Sequence, residues 1–427
     1  MARDTDPKLR ELIIYSVYVR NHTPEGSFRA VIPDLPRIRA LGVDAVWLMP
    51  IHPIGLAKRK GTLGSPYAIS DYRAINPEYG TLEDFRRFAD KVHGLGMKLL
   101  IDVVYNHTSP DSWLAQHHPE WFYHKPDGSF GNRVGDWTDI IDLDYSQMAL
   151  WDYQIETLCY WAQFVDGFRC DVAPLVPLEF WKQARQAVEA VRPGAIWLAE
   201  SVEPEFITYA RSRGMTGLSD SELYQAFDVC YDYDISGEFM AYVRGEIPLE
   251  RYIAALRRQQ TIYPANYVKL RYLENHDRAR MAQLFPTERL QRNWLAWGFF
   301  QQGLALLYSG QEWAPRHRPG LFDADPVDMT GEPVCGDLLR RLCAMKKDPL
   351  LAEGVYEIKA CPEDLVQATY LKDGRIAYGL FSLKGKPGAA EARLPDGKYR
   401  NLLDDREVLV EAGLISTDGE PIVLLTP

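Results

Sequence analysis

Thr81-Leu-Glu-Asp-Phe-Arg-Arg-Phe-Ala-Asp-Lys-Val-His-Gly-Leu95, followed at once by Gly-Met-Lys98-Leu-Leu-Ile-Asp102-Val103, reads as a helix feeding a strand. Thr81 supplies an N-cap, and Glu83 and Asp84 put negative charge in the first turn, where the helix dipole favours it. The same alternation runs through the first three quarters of the chain. Strands are expected at 13–18, 45–48, 98–103, 167–170, 196–199, 227–230, 268–273 and 304–308, with helices at 35–41, 82–95, 150–165, 178–191, 205–213, 249–259 and 289–302. Eight strands interleaved with helices predict an α/β chain folded as a (β/α)8 TIM barrel, whose reactive groups gather where strand C-termini meet the following loops.

One of those loops is far longer than usual for such a fold, running over 108–145 and rich in aromatics, His, Pro and Gly. It predicts a small excursion domain overhanging the barrel mouth, so that 1–107 and 146–348 form the barrel. From 349 to 427 the pattern changes to short alternating strands broken by Lys372-Asp-Gly, Pro395-Asp-Gly and Thr417-Asp-Gly turns. That predicts a separate C-terminal antiparallel β domain.

Composition narrows the function classes. The 427 residues are 46 % hydrophobic and 25 % charged, which gives ample material for a large core. Lys and Arg number 48 against 59 Asp and Glu, a formal charge of −11, so phosphate backbones and anionic lipid are not attracted and no nucleic-acid partner is expected. The apolar run at 12–19 is too short to span a membrane, and the charged opening residues carry no secretory signal. Cys159, Cys170, Cys230, Cys335, Cys343 and Cys361 form neither a disulfide framework nor a CxxC pattern, which predicts reduced thiols in a cytoplasmic protein. Aromatics, at 12 %, are abundant enough to stack on flat ligands such as sugar faces.

Charged residues at the strand ends carry the chemistry. The third strand closes on Asp102-Val-Val-Tyr-Asn106-His107, and the fourth reads Gly167-Phe-Arg169-Cys-Asp171, where alternation turns Arg169 and Asp171 to one face. A guanidinium beside a carboxylate keeps it ionised, as a nucleophile requires. Glu200 ends the fifth strand after an apolar run, where desolvation favours the protonated form wanted in a general acid. The seventh strand leads into Glu274-Asn275-His276-Asp277. Three carboxyls at one mouth, with no Ser or Cys nucleophile, nucleotide motif or tight His cluster beside them, are what acetal chemistry needs.

These segments resemble, in order, the four signature segments of the α-amylase superfamily, glycoside hydrolase family thirteen. Ser65-Pro-Tyr67-Ala-Ile-Ser-Asp71-Tyr72, Ile141-Asp-Leu-Asp144 and Gly310-Gln-Glu312 are similar to three further family segments, and the resemblance spans about 10–320. It implies a barrel with the excursion after the third strand and a C-terminal β-sandwich. By position, Asp171 resembles the family's nucleophile, Glu200 its acid/base and Asp277 its transition-state stabiliser. Arg169 would orient Asp171, His107 and His276 would bind sugar hydroxyls, and Tyr67 would be the platform for the reacting sugar. Asn106 and Asp144 match the side-chain ligands of a structural calcium ion found in many members.

The implied activity is retaining hydrolysis of α-1,4-glucosidic bonds in maltooligosaccharides and starch-type α-glucans. A transglycosylase with the same residues, or a noncatalytic carbohydrate-binding barrel, are the alternatives. Pro174 and Leu175 stand where many starch-degrading members carry Lys-His, and the excursion is short, which points to short maltooligosaccharides. Linkage preference, endo or exo action and oligomeric state stay open.

Overall fold

The computed structural model describes residues 4–135 and 137–426. Eight parallel strands close into a barrel: β1 (Ile13–Val17), β2 (Ala45–Leu48), β3 (Lys98–Val103), β4 (Gly167–Cys170), β5 (Ile196–Ala199), β6 (Val229–Tyr231), β7 (Val268–Arg271) and β8 (Leu304–Tyr308). Going round the barrel the order is β1-β8-β7-β6-β5-β4-β3-β2.

Each strand is buried on both faces, as expected when helices cover a parallel sheet. Alternation sorts the side chains: Ile14, Trp47, Leu100, Leu198, Leu270 and Leu306 fill the barrel interior, while their neighbours Tyr15, Val46, Leu99 and Ile101 pack outward against the helices. The helix Leu82–Gly94 begins with a capping box in which Thr81 and Asp84 satisfy each other's backbone N–H groups, and it buries Phe85, Phe88 and Val92. Register then sets up the site. Asp102 on β3 lies directly beside Arg169 on β4, so the inward alternation that packs Leu100 delivers a carboxyl and a guanidinium side by side at the strand ends.

Between β3 and β4 a two-strand ladder pairs His107 with Asp142 and Thr108 with Ile141, tying the base of the excursion to the barrel mouth. Past the helix Pro349–Glu353 come eight strands in two antiparallel sheets. One joins β9 (Val355–Cys361), β10 (Leu365–Lys372), β11 (Arg375–Ser382) and β16 (Ile422–Leu425). The other joins β12 (Gly388–Glu391), β13 (Gly397–Arg400), β14 (Glu407–Glu411) and β15 (Leu414–Thr417). Leu365, Tyr378 and Leu424 from the first meet Ala390, Val410 and Ile415 from the second in one core, which makes the pair a sandwich. It is anchored to the helix Glu288–Phe300 between β7 and β8, where Trp294 donates to the Leu383 carbonyl and Asn293 accepts from Ser382 N–H.

Among the described residues no helix is long and apolar enough to cross a membrane. All six cysteines are free thiols.

Candidate active site

Arg169 organises the mouth. Its guanidinium is wholly buried and meets three carboxyls: Nη1 lies 3.0 Å from Asp102 Oδ1 and 2.7 Å from Asp171 Oδ1, and Nη2 lies 2.9 Å from Glu200 Oε1. The Trp47 ring lies within 5.2 Å of the guanidinium carbon. One guanidinium cannot neutralise three carboxylates, and burial pushes Asp102, Asp171 and Glu200 upward. Glu200 reaches about 8: burial is the largest cause, Arg169 opposes it, and the charges of Asp171 and Asp277 push it further up. Glu200 offsets part of the effect of burial on Asp171, lowering that carboxyl's affinity for a proton.

The backbone contributes as well. Val172, directly after Asp171, adopts φ 35° and ψ 45°, a left-handed conformation that a β-branched residue rarely holds. This sharp turn aims the Val172 N–H at Glu200 Oε2, 2.8 Å away, so the two carboxyls are coupled through the chain as well as through Arg169. Nothing in the sequence marks Val172 for this.

The third carboxyl, Asp277, is half exposed to the cleft and lies 3.0 Å from His276 Nε2. Burial pushes it up, but His276, Arg169 and Arg278 pull it down to about 2. His276 also meets Tyr67 Oη at 2.8 Å, and the two rings stack at 17°. Tyr67 Oη in turn reaches Asp102 Oδ2 at 3.2 Å, which fixes the edge of its ring. Burial lowers the His107 imidazole to about 4, so it faces the cleft as a neutral group able to donate and accept. All seven residues expected at the site therefore converge on one place. Glu274, in the same polar stretch as Asp277, does not join them: it is buried against Arg280 at 2.6 Å.

Tyr67, His107, Asp171, Glu200, His276 and Asp277 line a cleft of about 210 Å³, with Arg169 buried beneath them. Lys60, Trp137, Asp139, Leu321 and Phe322 complete its walls. Lys60 Nζ lies 2.7 Å from Asp139, a buried carboxylate of the excursion. Of the excursion aromatics, Trp137 reaches the cleft, whereas Trp121 and Phe122 are buried as part of the main hydrophobic core. His117 and His118 stack on Trp113 and Trp121, and no cluster of metal-ligating side chains occurs among the described residues.

Asn106 and Asp144 do face a common cavity, of about 270 Å³. Calcium takes six to eight oxygens. Here Asp144 Oδ1 already accepts from Ser146 N–H at 3.1 Å, and the Asn106 amide nitrogen lies 3.2 Å from His107 Nδ1. The Arg133 guanidinium lines the same cavity, 3.8 Å from Asp142. Asn106, Asp142 and Asp144 supply the side-chain oxygens of this cavity, Asp142 Oδ1 being buried without a hydrogen-bond partner, and the fixed positive charge of Arg133 competes with a dication for them.

Comparison with known proteins agrees with this architecture. A solved α-amylase from Lactobacillus plantarum is 51 % identical, with a TM-score of 0.97 covering 99 % of this chain and 100 % of that one. A maltogenic α-amylase, AmyB from Thermotoga neapolitana, is 33 % identical with a TM-score of 0.87, covering 98 % and 99 %. An α-1,4-glucan:maltose-1-phosphate maltosyltransferase from Myxococcus xanthus is 30 % identical over 254 residues, 54 % of this chain and 37 % of its own. The chain spans 28–61 % of the length of the first curated relatives it matches. The family model described as the alpha amylase catalytic domain matches residues 4–318, and that of the bacterial alpha amylase C-terminal domain matches 357–424. The chain thus belongs to the α-amylase family of enzymes acting on α-glucans.

Proposed function

We propose that the protein is a retaining glycoside hydrolase of α-1,4-glucosidic bonds in maltooligosaccharides and starch-type α-glucans. The observation that carries this reading is the single Arg169 guanidinium joining Asp171 to Glu200. A retaining pair stands about 5–5.5 Å apart, whereas an inverting pair leaves room for a water. Two carboxyls held against one guanidinium, at 2.7 and 2.9 Å from its terminal nitrogens, are kept close together, as the first class requires.

In the first step Asp171 attacks the anomeric carbon, the C1–O bond breaks, and the Glu200 proton goes to the departing oxygen. The ester on Asp171 carries no charge, so it no longer raises the Glu200 pKa. Glu200 then becomes the base that takes a proton from water as the hydroxide displaces Asp171 and releases an α-anomer. Asp277, ionised and half exposed, is placed to grip ring hydroxyls more tightly as the sugar flattens toward an oxocarbenium ion. Tyr67 presents its ring as the floor, and neutral His107 with His276 binds hydroxyls.

The acid form of Glu200 is required for the first step, so kcat/KM is expected to fall as pH rises through about 8. On the acid side it falls where Asp171 gains a proton, and burial moves that limb above the usual Asp range. A pH–rate profile of maltoheptaose hydrolysis checks both limbs; an unchanged rate at pH 10 contradicts the assignment.

A transglycosylase reading draws support from the similarity to a maltosyltransferase. Chromatography of maltoheptaose digests at low and high substrate concentration separates the two. Hydrolysis yields only shorter chains at both, transfer yields chains longer than seven units at high concentration, and an untouched substrate supports a noncatalytic barrel. The same digest in EDTA is expected to run at an unchanged rate, since the Asn106–Asp144 cavity carries its own guanidinium. A loss reversed by added calcium contradicts that.

A further inference from the structure

The loops after β2 and β8 form one wall of the cleft through Lys60, Leu321 and Phe322, and the barrel order says on which side that wall stands. Glu200 follows β5, and the strand directly across the mouth from β5 is β1, flanked by β2 and β8. On the reading above, Glu200 protonates the departing oxygen, so the leaving group lies on its side. The retained glycon, which carries the non-reducing end of the chain, extends toward the loops after β2 and β8.

Those two loops are clasped. Thr62 donates from its backbone N–H and its hydroxyl to Asp323 Oδ1, at 2.8 and 2.6 Å, and Leu63 N–H donates to the Phe322 carbonyl at 2.9 Å. Gly61, at φ 61°, lies so close that a Cβ there would meet Phe322 and Asp323 at 2.6–2.9 Å. Beneath the junction Arg20, itself buried and gripped by both oxygens of Glu78 at 2.8 Å, donates to the Gly64 carbonyl of one loop and the Leu321 carbonyl of the other, each at 2.9 Å. A buried guanidinium with this many fixed acceptors is a built joint, unlike two loops in passing contact. Above it, the Lys60–Asp139 pair bridges to the excursion. The cleft volume, about 210 Å³, falls below the roughly 300–1,000 Å³ of clefts that bury drug-sized ligands, which suits a short glycon.

We infer that this clasp ends the cleft on the glycon side, so that the protein takes α-glucans by their non-reducing ends and releases a short product of fixed length. The inference rests on the proposed catalytic roles and adds to them a direction of attack. Lys60 and Asp139 at the wall offer a donor and an acceptor to the hydroxyls of the terminal sugar, and Phe322 and Leu321 supply the apolar surface on which its face rests.

The test uses two p-nitrophenyl maltoheptaosides, one with a free non-reducing end and one with that end blocked by a 4,6-ethylidene group, cleaved by the full chain and followed by chromatography. The free substrate is expected to be cut at least about 100-fold faster, with one short product dominating, because a wall built against extra bulk discriminates by steric exclusion. In a Lys60→Ala/Asp323→Ala double variant, both changes being on partly exposed side chains, the ratio is expected to fall below about ten-fold, with products of mixed length. Equal cutting of both substrates by the unaltered chain overturns the inference while leaving the hydrolase reading intact. A preference that survives the double variant overturns the clasp as its cause. If neither substrate is cut, the hydrolase reading falls and the inference falls with it.

Discussion

Asp171→Asn is expected to reduce kcat on maltoheptaose by about 10⁴-fold or more, the order lost when a group that forms the covalent intermediate is removed. The substitution is nearly isosteric and keeps an acceptor for Arg169 Nη1, now 2.7 Å from Asp171 Oδ1. Folding should therefore be preserved, which circular dichroism and the unfolding midpoint check. A second signature distinguishes a lost nucleophile from a disturbed site. The Asp171 charge is one of the influences raising Glu200, so in the variant Glu200 is expected to titrate lower than in the parent. Activity within ten-fold of the parent rules Asp171 out as nucleophile.

Glu200→Gln is expected to cost about 10² to 10⁴-fold on maltoheptaose, the usual contribution of a positioned general acid. The loss should depend on the leaving group. A sugar hydroxyl departs poorly without a proton, whereas fluoride from an α-maltosyl fluoride needs little help, so the variant should retain most of its glycosylation rate on the fluoride. The introduced amide keeps an oxygen for the Val172 N–H, which in the parent donates to Glu200 Oε2 at 2.8 Å, so the strained turn has no reason to relax. Equal losses on both substrates mean that Glu200 acts by holding Arg169 and Val172 in place and not by giving up a proton.

The barrel was legible in the sequence because its strands are short apolar runs bounded by polar turns. Five of the eight, 45–48, 98–103, 167–170, 196–199 and 304–308, stand at the expected residues. The sixth slipped, from 227–230 to Val229–Tyr231, because Asp228 is not part of the ladder: its carboxylate accepts from Trp197 N–H and pairs with Arg185. In the C-terminal sandwich the strands Gly388–Glu391 and Gly397–Arg400 left little trace. They are four residues long and poor in β-branched side chains, and packing against the neighbouring strands makes them strands.

The site was legible for a different reason. Charged side chains at inward positions of barrel strands are costly unless they are used, so Arg169, Asp171 and Glu200 stood out against the apolar runs that carry them. The same logic does not sort every member of a polar stretch: Glu274, three residues before Asp277, turns away into an ion pair with Arg280. It also missed the walls. Thr62, Lys60 and Phe322 acquire their meaning through contacts between loops more than 250 residues apart and with the excursion, and no local pattern encodes such a contact. Val172 is invisible for a related reason: its left-handed backbone is imposed by the strand before it and the carboxyl above it.

The most direct test of the central claim is the anomeric configuration of products formed from maltoheptaose, read by proton NMR before mutarotation blurs it. A glycosyl ester on Asp171, opened by water under Glu200, gives the α-anomer first, with the β-anomer growing in later at the spontaneous rate. If the β-anomer appears first, the bond is broken by a single inverting displacement, and the close pairing of Asp171 with Glu200 has been assigned the wrong chemistry.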